Sequence, residues 1–234
     1  MDLFSPEAFF QLADLPAAPL FREATNVLDA VAALPAYIEK VIEPEILGEV
    51  EEGAWLETGN VRLEEGAKVE RGAIVRGPTI IGKNSVVRSG AYIRGHVMVG
   101  EGCLIGHGTE IRQVLVMNQS NIPHLNCFFT SIVGSRVKIG GCTHTANMRL
   151  SGREVAIRAD LNGKNQLFPT GQTLFGVVIG DDSNVGGVSL LQPGTVIGQR
   201  CLIYPQCSVS GYIPHDSVVR PKSALFEVVS RLET

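Results

Sequence analysis

From Leu63 to Ile111 an aliphatic side chain returns at every sixth position without a miss: Leu63, Val69, Val75, Ile81, Val87, Ile93, Val99, Ile105 and Ile111. Four residues after each of the first eight sits a small or slim side chain (Ala67, Ala73, Thr79, Ser85, Ala91, Val97, Cys103, Thr109), and the residue before that slot is usually a turn former, such as Gly66, Pro78 or Asn84. A period of six fits neither the 3.6 residues of a helical turn nor the alternation of a long strand. One large and one small inward slot per six residues is the signature of a β-helix, in which three hexapeptides make one coil and each coil stacks on the last. Adjacent coils then lie about 4.8 Å apart, so residues eighteen apart are spatial neighbours. Val50 and Leu56 extend the rhythm backwards. Val133-Gly134 and Ile139-Gly140 form an isolated pair, and Ile179, Val185, Leu191, Ile197, Ile203 and Val209 resume it. The expected fold is all-β, a parallel hexapeptide-repeat solenoid over residues 46–222 with inserted loops at 117–131 and 145–178, then a tail at 223–234.

Residues 1–45 do not share the rhythm. Ser5-Pro6-Glu7 supplies a helix N-cap, a proline at the first helical position and an acid in the first turn, which predicts a short helix through Phe9, Phe10 and Leu12. A second helix starts near Phe21, with Val27, Leu28, Val31 and Leu34 on one face, and Pro35 restarts a third through Ile38 and Val41. Terminal repeats of a solenoid need covering, so this segment reads as a small helical cap over its open end.

Charge divides the chain in the same place. Residues 1–60 hold two basic and twelve acidic side chains, and residues 61–234 hold eighteen basic and twelve acidic, net −10 against +6. A cationic solenoid suits a small anionic ligand, and no nucleic-acid-binding motif accompanies it. Of five cysteines, Cys103, Cys201 and Cys207 fall in the small inward slot and read as buried thiols. The chain shows no basic-plus-apolar leader and no apolar run of membrane-spanning length, which reads as a cytoplasmic protein without a membrane partner.

Arg76, Arg94 and Arg112 each follow a large inward residue at intervals of eighteen, which places them in a column. Neighbouring cations at this spacing repel by about 1 kcal/mol even in water. The column is either a phosphate site, for which guanidinium forks are suited, or a solvated row of side chains that splay apart. Of five histidines, His96 and His107 occupy turns, His144 a regular hexapeptide and His215 a Pro-His-Asp turn. His124 falls in the first expected insertion, in Asn121-Ile122-Pro123-His124-Leu125-Asn126, and its near-neutral pKa class makes it a candidate general base.

Pro123-His124-Leu125-Asn126, followed by Ile139-Gly140-Gly141 and Thr145-Ala146-Asn147, resembles the acetyltransferase domain of the bifunctional glucosamine-1-phosphate acetyltransferase/N-acetylglucosamine-1-phosphate uridylyltransferases. Residues 44–222 also resemble stand-alone sugar-1-phosphate nucleotidylyltransferase-like hexapeptide proteins. The resemblance implies a left-handed coil, a homotrimer with sites between subunits, acetyl-CoA as co-substrate, no metal, and a role in UDP-N-acetylglucosamine-type biosynthesis. Residue by residue, it implies that His124 is the base and that Asn147 contacts sugar and acyl donor. Arg94 and Arg112 would bind the sugar phosphate with Arg76 extending the column, and Arg153 and Lys138 would add polar contacts to the sugar. Gly141, Gly187 and Pro205 fall at backbone contacts to acetyl-CoA, and Lys222 near a cation that meets its phosphate.

Cys127 stands where the family has a sugar-orienting tyrosine, and Lys138 where it has asparagine. The family's glycine-rich nucleotide loop and Mg²⁺-binding acids are missing, so nucleotidyl transfer is not expected. The leading expectation is an N-acetyltransferase acting on an amino-sugar phosphate. The alternative is a non-catalytic protein that binds a sugar phosphate or nucleotide sugar, which Cys127 favours. A third reading, zinc held by His107, His124 and His144, fails on spacing.

Overall fold

In a computed structural model that describes residues 3–13 and 15–221, the repeat winds into a parallel β-solenoid with three sides to each coil. Tyr92–Arg94, Val97–Val99 and Leu104–His107 are the first, second and third sides of one coil. Each pairs in parallel with the strand eighteen residues earlier, Ile93 beside Val75, Val97 beside Thr79 and Leu104 beside Val86. The third side is an uninterrupted nine-stranded ladder. The strands are only two to four residues long there because the chain must turn a corner in every hexapeptide.

The six-residue period is the period of burial. Leu63, Val69, Val75, Ile81, Val87, Ile93, Ile105 and Ile111 all have no exposed surface, and the small slot is closed by Ala67, Ala73, Cys103 and Thr109. Each fully buried aliphatic side chain contributes about 1.5–3 kcal/mol, repeated at every rung. All five cysteines are free thiols, and burial pushes that of Cys103 up to about 11.

The inserted loop expected at 117–131 is absent. Asn121–His124 and Cys127–Val133 are strands of the solenoid, paired with Leu104–His107 and Glu110–Val116 at a spacing of seventeen. The chain drops one residue at two corners, Gln113 and Thr130, both with positive φ. The inward series therefore steps Ile111, Val116, Ile122, Phe128, Val133, Ile139, Thr145, still buried but out of phase with a strict count of six. Where the corner is shortened, first and second sides fuse into seven-residue strands, Glu110–Val116 and Cys127–Val133.

A true excursion follows Thr145. Ile132 pairs with Val178, forty-six residues on, and between them an antiparallel hairpin, Ala156–Leu161 with Lys164–Pro169, leaves the solenoid. Its root is closed by an isolated bridge between Met148 and Leu174 and by the Phe175 N–H donating to the Asn147 carbonyl at 2.8 Å.

The helical segment covers a side of the solenoid and not its open end. Helices α1 (Pro6–Phe9), α2 (Ala18–Glu23) and α3 (Val27–Val41) share a core with Ile80, Met98, Leu115, Ile132, Val178 and Val196, the outward residues of the second side. These positions are apolar in coil after coil, so the face needs a lid along its length. Helix α3 runs unbroken through Pro35, because Val27, Leu28, Val31, Leu34 and Ile38 are all buried on that lid. Asn26 caps it, accepting from the Leu28 and Asp29 N–H groups at 2.8 and 3.0 Å. The segment is fastened at Asp181, a fully buried carboxylate that accepts from the Gln11 and Ser135 N–H groups at 2.8 and 2.7 Å. Burial raises its pKa, opposed by these hydrogen bonds and by Arg136.

Candidate active site on the uncovered side

Among the described residues no helix packs on the first side, and through its middle coils, between Ile74 and Leu190, the outward residues are polar or aromatic where those of the second side are aliphatic. Along one row lie Tyr92, Glu110, Cys127 and His144, held in register by the ladder. Along the next lie Arg76, Arg94 and Arg112, followed by Phe129. All three arginines are exposed and point from one edge of one side.

Their surroundings differ. The Arg76 guanidinium lies over Trp55 and Tyr92, 5.7 and 6.0 Å from the ring centroids. Arg94 donates to Glu110 at 2.7 Å. Arg112 has no ion-pair or hydrogen-bond partner among the described residues, which leaves its fork available to an anion. Arg94, Arg112 and Asn147 line one depression of about 250 Å³ together with Phe129, Met148 and Leu174. The Asn147 amide donates to the Thr130 hydroxyl at 3.1 Å, which turns its oxygen free to accept.

His124 ends the third side, at the corner from which the chain turns into the first-side strand that leads to the arginine edge. It belongs to a strand, not a loop, and pairs with His107 in the coil before. Two glycines seat it. Gly106 lies so close beneath Pro123 that any side chain there would collide with the proline backbone. Above, a Cβ on Gly141 would fall 2.5 Å from Cδ2 and Nε2 of the imidazole, so the ring rests directly on the Gly141 backbone. The Gly141 N–H has no acceptor among the described residues, while its carbonyl accepts from the Val188 N–H at 2.9 Å. The strand that separates His124 from the arginine edge is on the order of 10–15 Å long.

Cys127 lies between them, half-buried, with its thiol pushed up by burial and then by Glu110. Gly187 stacks on Gly141, and its neighbour Gly186 abuts Pro205. Lys138 faces a different way: it projects from the third side, where it lines a broader groove of about 420 Å³ with Gly186 and Pro205. Arg153 is exposed on the turn before the hairpin and does not line the arginine depression. Lys222 lies outside the described residues. His107 Nδ1–H donates to the Ser89 carbonyl at 2.6 Å, and His144 pairs with Cys127; among the described residues no group of three His, Cys, Asp or Glu side chains is gathered for a metal.

A model of the GMPPB C-terminal domain matches residues 75–167. The bifunctional protein GlmU of Methanococcus vannielii is 34% identical over 189 residues, covering 81% of this chain and 44% of that protein. That of Methanococcus maripaludis is 33% identical over 197 residues, covering 84% and 46%. The chain belongs to the left-handed hexapeptide-repeat β-helix family. It spans less than half the length of these curated family members. The UDP-N-acetylglucosamine acyltransferase from Campylobacter jejuni is a solved structure 13% identical to it, with a TM-score of 0.46 over 70% of this chain and 69% of that one.

For this family member, sequence reasoning missed Glu110, Met148 and Leu174 at the site. Glu110 is detectable as the residue just before an inward isoleucine, on the same outward row as Cys127. Met148 and Leu174 carry no comparable signal, because only the closure of the excursion brings them together. Among the described residues no helix is long and apolar enough to cross a membrane.

Proposed function

We propose that this chain is an acyl-CoA-dependent N-acyltransferase whose acceptor is an amino-sugar phosphate of the glucosamine-1-phosphate kind, with acetyl-CoA as the donor. The observation that carries it is the joint presence, on the first side and at its corner with the third, of a guanidinium at Arg112 with no partner among the described residues and an accessible imidazole at His124 seated on a free backbone N–H. Arg112, with Arg94 beside it, holds the phosphate, and the Asn147 amide oxygen accepts from a sugar hydroxyl. The acceptor's neutral amine attacks the thioester carbonyl as His124 takes the proton that its nitrogen sheds. The Gly141 N–H stabilises the oxyanion that forms, as a fixed donor does in acyl transfer generally. Collapse breaks the C–S bond, and His124 returns its proton to the departing thiolate. Gly187 and Pro205 lie along the donor's path, with Lys222 meeting its phosphate, while Lys138 and Arg153 are reserved for polar contacts to the sugar. Homotrimers that place a second copy's surface over this side would complete the site and exclude water.

A second reading, a sugar-phosphate- or nucleotide-sugar-binding protein without catalysis, is favoured by Cys127. A raised thiol pKa keeps this side chain neutral, and S–H is a weak hydrogen-bond donor, so it does not replace an orienting hydroxyl. Release of CoA from acetyl-CoA in the presence of glucosamine 1-phosphate or galactosamine 1-phosphate decides between them. Turnover that is lost in His124→Ala supports the transferase. Stabilisation by the sugar phosphates, with no CoA release and no effect of acetyl-CoA, supports the binding protein.

A further inference from the structure

The arginine depression has two unlike halves. One presents guanidinium groups and the Asn147 amide oxygen, which suit an anion and one adjoining hydroxyl. The other is apolar: the half-buried Phe129 ring and the side chains of Met148 and Leu174, which are 57% and 42% exposed. Met148 and Leu174 are not loose surface residues, since the bridge between them closes the root of the excursion and fixes both against the depression. A hexosamine ring bound by its phosphate must turn part of its body towards this wall. A methyl group held there gains apolar contact, whereas a hydroxyl there gives up part of its hydration and finds no partner on these side chains.

Resting on the acyltransferase reading, we infer that the preferred acceptor is a 6-deoxy amino-sugar phosphate, in which a methyl group lies against Phe129, Met148 and Leu174. C6 is the one exocyclic carbon of a hexosamine and projects furthest from the ring, so it is the substituent that such a wall reads. The wall belongs to the acceptor, not to the acyl chain, because it adjoins the phosphate-binding cations and lies at the far edge of the first side from the corner that carries His124.

The test measures binding without acetyl-CoA, so that it does not depend on catalysis. Titration calorimetry of the full chain with glucosamine 1-phosphate and with 6-deoxyglucosamine 1-phosphate is expected to show at least tenfold tighter binding of the deoxy sugar. Met148→Gln and Leu174→Gln, both exposed and therefore compatible with folding, are expected to bring the ratio towards one by strengthening or sparing the hydroxylated sugar. Arg112→Ala is expected to weaken both sugars alike. Equal wild-type affinity for the two sugars, or a ratio unmoved in both glutamine variants, overturns this inference alone. If the wild-type chain binds neither sugar, the amino-sugar-phosphate reading falls, and this one falls with it.

Discussion

The second and first sides of the solenoid are built from the same repeat and bury the same inward residues, yet they have opposite fates. On the second side the outward row is Ile80, Met98, Leu115, Ile132, Val178 and Val196, and the chain spends its N-terminal segment and part of its excursion covering it. On the first side the corresponding row through the middle coils is Tyr92, Glu110, Cys127 and His144, with arginines along one edge and His124 at the corner beyond the other, and among the described residues no helix packs over it. The lesson is that a repeat fixes the interior, while one outward residue per hexapeptide decides whether a face becomes core or becomes chemistry.

Four experiments press on that contrast. The largest expected effect is on the open side: His124→Ala should lower the rate of acyl transfer by about 10²- to 10⁴-fold with the melting temperature unchanged, as for loss of a general base. A full rate in that variant removes the proposed chemistry from this side. On the covered side, Ile132→Ala should cost about 2–5 kcal/mol in denaturant unfolding, because Ile132 is fully buried between solenoid and lid. His144→Ala, in the exposed row, should stay within about 0.5 kcal/mol; comparable losses from the two would erase the distinction between the sides.

Third, Arg112→Ala should weaken sugar-phosphate binding by about 1.5–3 kcal/mol, on the order of ten- to 150-fold, without affecting stability. The smallest effect concerns the fastening of the lid. Arg136 donates to Asp182 at 2.6 Å and holds its carboxyl below the usual range, while burial holds the neighbouring Asp181 above it. A lowered folded-state pKa gives stability that is present above the unfolded carboxylate value and lost as pH falls through the folded one; a raised pKa acts in the reverse sense. Asp182→Asn should therefore cost less than about 1 kcal/mol at pH 7, with the deficit shrinking as pH drops below about 4. A deficit that grows on acidification would contradict the assignment.

Much of this was legible in the residues. The inward series announced the solenoid, and eighteen-residue spacing placed Arg76, Arg94 and Arg112 on one edge, as the register of Arg76 with Arg94 and of Ile93 with Ile111 shows. Two single-residue omissions at Gln113 and Thr130 were enough to disguise regular coils as an insertion, since a count of six loses phase while the backbone does not. The lid was misplaced for a different reason. Its docking surface is a row with one member per coil, and Ile80, Met98 and Leu115 look like incidental apolar residues until the coils are stacked. The apolar wall of Met148 and Leu174 was beyond reach, because it depends on where a thirty-residue excursion happens to close.

The shortened corners have one more outcome. By carrying strand pairing around the tightened corners at Gln113 and Thr130, Glu110–Val116 and Cys127–Val133 leave no loop between the helix-bearing wall and the cation-bearing wall at the level of the candidate site. A ligand cannot be admitted by parting them. Entry and exit must rely on side chains and on whatever sits over the open wall, which makes this a rigid workbench whose moving parts, if it has any, come from elsewhere.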